Sequence, residues 1–169
     1  MRLLALACCV VSLTLCLACS PDHSGISTVF DPCAGVPILL HPGATAAEGD
    51  ALDEALTLWR SAANATAYVA DDVALRDALR IEFQDAAPMF YGVYDDERAI
   101  ISVNHRLPTE GARTITIAHE LGHAFGLDHV ARAGRRSIMN PHNLDVTPTE
   151  GDVSALTALW GACPARSLD

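Results

Sequence analysis

The chain has 169 residues, half of them apolar, and a formal net charge of −10 from 11 basic and 21 acidic side chains. That length points to one domain, with enough apolar side chains for a sizeable core. The acidity, with every basic residue an arginine, argues against nucleic acid and anionic membrane surfaces as partners.

Residues 1–19 open with Arg2 and continue as an uncharged apolar run from Leu3 to Ala18. The length of the run and its small-residue end predict a secretory signal rather than a membrane span, so the protein is expected to be exported. The stretch Leu17, Ala18, Cys19, Ser20 resembles the lipobox of bacterial lipoproteins, with Cys16 where that pattern usually has leucine. The resemblance implies cleavage before Cys19, acylation of its sulfur and a tether at the bacterial outer membrane or cell surface; plain secretion is the alternative. Four of the six cysteines lie in this segment, which leaves Cys33 and Cys163. Two cysteines near opposite ends of an exported domain suggest one disulfide.

Residues 20–35, rich in Ser, Pro, Asp and Gly, read as a linker. The apolar run 36–41 predicts a strand. A helix follows, with Ala51, Leu52, Ala55, Leu56 and Trp59 on one stripe and Thr45 and Glu48 at capping-box spacing. Residues 65–70 read as a second strand, 71–80 as a turn of helix or a loop, and 80–84 as a strand by alternation. The stretches 89–95 and 98–104 predict a hairpin across Asp95, Asp96 and Glu97. That acidic run reads as a solvated turn, with weak Ca²⁺ binding as a minor alternative. A helix over 111–126 should end at Gly126, and a last helix at Gly161, capped by Thr147 with Glu150 or by Thr149 with Asp152.

Three of the seven histidines fall in the stretch HELGHAFGLDH, residues 119–129. His119 and His123, four apart on a helix, project from one face about one turn apart, the separation that two ligands of one Zn²⁺ need. Glu120 lies about 100° round the helix from His119, beside the metal and placed to take a proton from a metal-activated water. His129 can join only if the chain turns, and Gly126 supplies the turn. The spacing predicts three nitrogen ligands, one open coordination position and one adjacent base.

The same residues, His119, Glu120, His123, Gly126 and His129, resemble the HExxHxxGxxH signature of the metzincin zinc endopeptidases. The resemblance continues into SIMNP, residues 137–141, which is similar to that clan's Met-turn and implies that Met139 supports the site from beneath. Gly126, Leu127 and Asp128, with the last helix, make the chain most similar to the matrixins. This implies an α+β fold over 36–165: a twisted mixed sheet, long helices, a zinc cleft, and an edge strand within 89–94 that pairs with an extended peptide. It also implies that the domain's start lies near its last helix, which would bring Cys33 to Cys163. The sequence departs from the matrixins in a longer stretch between His129 and Met139, and in lacking a His-rich loop for a second, structural zinc. The stretch 31–37 is faintly similar to a cysteine switch, but an extra Ala34 and the abutting strand favour the Cys33–Cys163 bridge over zinc ligation by Cys33.

Trp59 and Trp160 read as core anchors. His41, His105 and His142 read as surface or locally bonded residues, with His142 also a candidate to line a substrate pocket. Asp128 reads as a structural carboxylate. The expected protein is an exported, monomeric zinc endopeptidase acting on protein or peptide substrates, with Glu120 as catalytic base. The alternative is a zinc-holding lipoprotein of the same scaffold that binds a partner without cutting it.

Overall fold

The computed structural model describes residues 27–74 and 77–165. The segment 1–19, read from the sequence as a secretory signal, lies outside the described residues, and Cys19 with it. The elements run β1 (Pro37–Leu40), α1 (Ala46–Ala63), β2 (Tyr68–Val69), β3 (Leu79–Gln84), β4 (Gly92–Asp95), β5 (Ile100–Asn104), α2 (Glu110–Ala124) and α3 (Glu150–Trp160). Among the described residues the architecture is α+β: one five-stranded mixed sheet of order β2-β1-β3-β5-β4, with three helices. Strands β1, β2, β3 and β5 pair in parallel, and β4 runs antiparallel to β5 at the sheet's edge. Among the described residues no helix is long and apolar enough to cross a membrane.

Local chemistry accounts for the helix ends. At the start of α1 the Glu48 carboxylate reaches back to the Thr45 N–H at 2.8 Å and accepts the Thr45 hydroxyl at 2.9 Å, which satisfies a donor the helix leaves orphaned. Asn64 leaves α1 in the left-handed conformation, φ 54°. Thr109 caps α2 by accepting the Ala112 N–H at 3.0 Å. Of the two caps open for α3, the chain uses Thr149 with Asp152.

The core lies between the sheet and the helices. Ile38, Leu79, Ile81, Ile101 and Val103 bury one face of the sheet. Ala51, Leu52, Ala55 and Trp59 of α1 and Ile117, Ala118 and Leu121 of α2 join them in one apolar cluster. Trp59 is buried as predicted, and its indole N–H donates to the Ala118 carbonyl at 2.8 Å, which lets a polar ring sit inside without an orphan donor. Trp160 is only half-buried, and its indole N–H donates to the Phe125 carbonyl just past α2.

A disulfide joins Cys33 to Cys163 with the Cα atoms 5.0 Å apart, as the two cysteines predict. Three details differ from the sequence reading. The second strand shrinks to two residues at the sheet edge. Helix α2 ends at Ala124, one turn's fraction earlier than Gly126. The linker stretch, where described, is bonded to the domain: Thr28 N–H donates to Asp96 O, Phe30 N–H to Ala124 O, and Thr66 N–H to Pro32 O.

Candidate metal centre

Helix α2 presents His119 and His123 on the face turned toward the edge strand, and the chain then reverses. Gly126 has φ +91°, a conformation costly for any residue with a Cβ. Its N–H donates to the His123 carbonyl, and the Leu127 N–H to the Gly122 carbonyl, both at 2.9 Å. This exit carries His129 back over the helix. The Nε2 atoms of His119 and His123 each stand 3.2 Å from Nε2 of His129. The spacing therefore brings together the three histidines it predicted, as a group able to hold a metal ion.

Hydrogen bonds orient the rings. His119 Nδ1 is 2.6 Å from the Ile138 carbonyl, and His123 Nδ1 is 2.8 Å from the Leu127 carbonyl. A carbonyl only accepts, so each Nδ1 carries its hydrogen and each Nε2 offers a lone pair inward. Burial favours that neutral form: it pushes His119 down to about 4, against the opposing Ile138 bond and with the neighbouring histidines adding to it. His123 is lowered too, again chiefly by burial. A hydrogen on His129 Nε2 can serve only one of its two nitrogen neighbours. A cation placed among the three satisfies all of them, so the donor set fits a metal that favours imidazole.

Glu120 lines the same cleft, a space of about 730 Å³ between α2, β4 and the segment after Met139. It is buried, and burial pushes its carboxyl up to about 7, opposed by a bond from the Tyr94 backbone N–H. Gly92 crosses directly over it. A Cβ on Gly92 would sit 2.8 Å from the Thr116 methyl and 3.2 Å from the Glu120 carboxylate, so only glycine lets the edge strand pass this close.

Met139 is buried, and its sulfur packs against Gly122 of α2, one residue before His123. The turn that carries it is fixed by groups the sequence reading did not single out. The Ile138 N–H donates to Asp152 Oδ2 at 3.1 Å, the Ser137 hydroxyl donates to Asp152 Oδ1, and the Met139 N–H donates to Ser137 Oγ at 2.9 Å. Asn143 Nδ2 donates to the Ile138 carbonyl at 3.2 Å, the same oxygen that holds His119. Val130 N–H donates to the Met139 carbonyl at 2.9 Å, tying the chain after His129 to this turn. Asp152 was legible only as a helix cap, and no local signal reveals its reach to residue 137.

Of the remaining candidates, His142 lines the cleft and meets the Tyr91 ring edge-on at 5.8 Å. His105 Nδ1 pairs with the buried Glu48 carboxylate at 2.5 Å, and His41 Nδ1 accepts the Gly43 N–H. Asp128 is exposed at the cleft rim. Cys33 is in the disulfide and so does not ligate the histidine site. Asp95 accepts the Arg98 N–H at 3.0 Å, the local bonding of a turn. The chain matches no protein-family model and no curated protein.

Proposed function

We propose that the protein is a metal-dependent peptide hydrolase and, more narrowly, a zinc endopeptidase of the metzincin kind, closest in its motif to the matrixins. The observation that carries the reading is the convergence of three imidazole nitrogens in a cleft that also holds a buried carboxylate beneath an edge strand. His129 Nε2 stands 3.2 Å from each of its two partners, so one ion could be shared by all three imidazoles.

His119, His123 and His129 would hold the ion, and the Ile138 and Leu127 carbonyls keep the first two rings aimed. When bound, Zn²⁺ supplies Lewis-acid chemistry: it lowers the pKa of water toward ~7 and polarises a carbonyl. Glu120 moves the proton. Its carboxylate accepts one from the attacking water and returns it to the departing amine, so no net proton is consumed at the enzyme. Burial raises Glu120, a dication held by the three histidines would lower it, and the two opposed effects would suit a group that must both take and give a proton near neutrality. The free edge of β4 offers main-chain groups to an extended peptide. Met139 packs under the ligands and takes no part in the chemistry.

The test is hydrolysis of casein or gelatin by the mature protein, with and without a chelator, beside the Glu120→Ala variant. The variant should keep its metal and lose hydrolysis by roughly 10²–10⁴-fold. Near-normal turnover in metal-replete Glu120→Ala removes the mechanism. Absence of hydrolysis in the wild type, with metal bound, favours the non-cutting binding lipoprotein instead.

A further inference from the structure

The edge strand β4 has two kinds of backbone positions. Asn104 N–H donates to the Tyr91 carbonyl, and the ladder pairs Val93 with Ser102 and Asp95 with Ile100. Residues 91, 93 and 95 therefore turn their main-chain groups toward β5, and 92, 94 and 96 turn theirs to the open side. Two of those open groups are already taken: the Tyr94 N–H by the Glu120 carboxyl, inside the cleft, and the Asp96 carbonyl by the N-terminal stretch. The Asp96 carbonyl accepts the Thr28 N–H at 2.9 Å, and the Tyr94 hydroxyl donates to the Thr28 carbonyl at 2.5 Å. The stretch is held beyond this point as well. Phe30 N–H donates to the Ala124 carbonyl at 2.8 Å, the Val29 side chain lies beside Gly126, and Cys33 is bridged to Cys163. Ser27 and Val29 thereby line the same cleft as His119, Glu120 and His129.

We propose that Ser27–Phe30 is a built-in stop at one end of the substrate cleft, with Thr28 in the place that the next residue of a bound peptide would take on β4. This rests on the reading of the cleft as a peptide site. The free edge is then confined to Gly92–Asp95, about 13 Å at ~3.3 Å per residue. A peptide can extend freely past the Gly92 end but meets the chain's own backbone at Asp96. The specificity that follows is one of length: the protein favours a scissile bond with few residues on one side of it. Thr28 and Tyr94 act as specificity-determining residues, because one occupies the edge and the other clamps it there.

Two series of labelled peptides test this, built on one cleavable core and lengthened a residue at a time toward the N-terminus or toward the C-terminus. In the wild type, kcat/KM should stop rising within a few residues in one series only. Tyr94→Phe, and Tyr94→Phe combined with Thr28→Pro, should release that limit. The long-to-short ratio of kcat/KM in that series should rise roughly two- to tenfold, the worth of one hydrogen bond. Tyr94→Phe leaves the main chain untouched, so it carries the test if the proline variant fails to fold. Identical length profiles in wild type and Tyr94→Phe would overturn the proposal. If no peptide is cut, the hydrolase reading fails by itself, and the stop is judged by binding of the same peptides in fluorescence anisotropy. Tighter binding of the long members by Tyr94→Phe then supports the stop, and equal affinities, including no binding to either protein, overturn it.

Discussion

Gly122 faces the sulfur of Met139 so closely that a methyl group on Gly122 would overlap it, and that methyl would also stand 3.3 Å from the Trp59 ring. This contact sits one residue before His123, and Met139 is itself fully buried. Two effects compete in Gly122→Ala. Alanine is the better helix former by ~1 kcal/mol. Overpacking a tight core costs ~1–3 kcal/mol. The overlap is with a fully buried side chain, so the packing cost should win. The variant should melt several degrees lower than the wild type. A rise in melting temperature would show that Met139 yields at no cost, and that it is no firm support for the histidines.

Removing His123 leaves two imidazoles, one of them on the exposed segment past the helix. Loss of a mere orienting partner of a metal ligand costs 10–100-fold in affinity. His123→Ala should therefore weaken Zn²⁺ binding by more than about 100-fold and abolish hydrolysis. Elemental analysis after dialysis reads the first, and one zinc per chain in the wild type with none in the variant is the expected result. Stoichiometric zinc in the variant would refute the ligand set.

What the sequence made legible is what one element can encode. His119 and His123 share a face because a helix has 3.6 residues per turn. Gly126 announces the reversal because few other residues tolerate its backbone. Thr45 with Glu48 marked the start of α1 for the same local reason. The Cys33–Cys163 bridge was legible by a different route, since those two cysteines were all that remained outside residues 1–19. The illegible parts join segments far apart in the chain. Asp152 holds a turn 15 residues upstream, Thr28 lies on a strand end 68 residues downstream, and Gly92 passes over Glu120 from another element. Spacing within a segment carries no trace of such meetings. The stretch 27–30 looked like linker because its role is to lend main-chain groups, and those leave no mark on residue type.

The disulfide closes a loop across a separation of 130 residues. Cross-linking a loop of that size removes much of the unfolded chain's freedom, worth ~2–5 kcal/mol. Reduction, or paired Cys33→Ser and Cys163→Ser substitution, should lower the denaturant midpoint without raising activity. Cys33 anchors the segment carrying Thr28, so reduction should also loosen the cleft's closed end and shift the peptide-length profile toward that of Tyr94→Phe. Thiol titration of the native mature domain should find neither of these two sulfurs free. A thiol unmasked by chelation would instead place Cys33 at the metal.

Asp152 gives the fold a defined acid sensitivity. Burial alone raises its carboxyl. The bonds from the Ser137 hydroxyl, the Thr149 N–H and hydroxyl, and the Ile138 N–H together outweigh that, and leave it below its ordinary value of 3.8. A carboxylate depressed on folding stabilises the native state at pH values above its unfolded value. That contribution is lost as pH falls through the lower folded value, because the unfolded chain takes up its proton first. Stability of the metal-free protein should therefore fall as pH drops through the range at and below 3.8, with Glu48 acting in the same direction. The Arg135 guanidinium also donates to Asp152 Oδ1 at 3.1 Å, from a partly exposed side chain. Asp152→Asn keeps the shape but cannot titrate. It should lower stability at neutral pH, by loosening Ser137 and Ile138, and flatten the acid limb. Urea melts from about pH 6 down to about pH 2, in chelator so that histidine protonation does not release metal during the titration, measure both. Equal slopes for the two proteins would mean that the acid limb belongs to other carboxylates. The same variant reports on the metal centre, because the Ile138 carbonyl that aims His119 is carried by the turn Asp152 holds. At neutral pH it should bind Zn²⁺ about 10–100-fold more weakly while all three histidines remain in place.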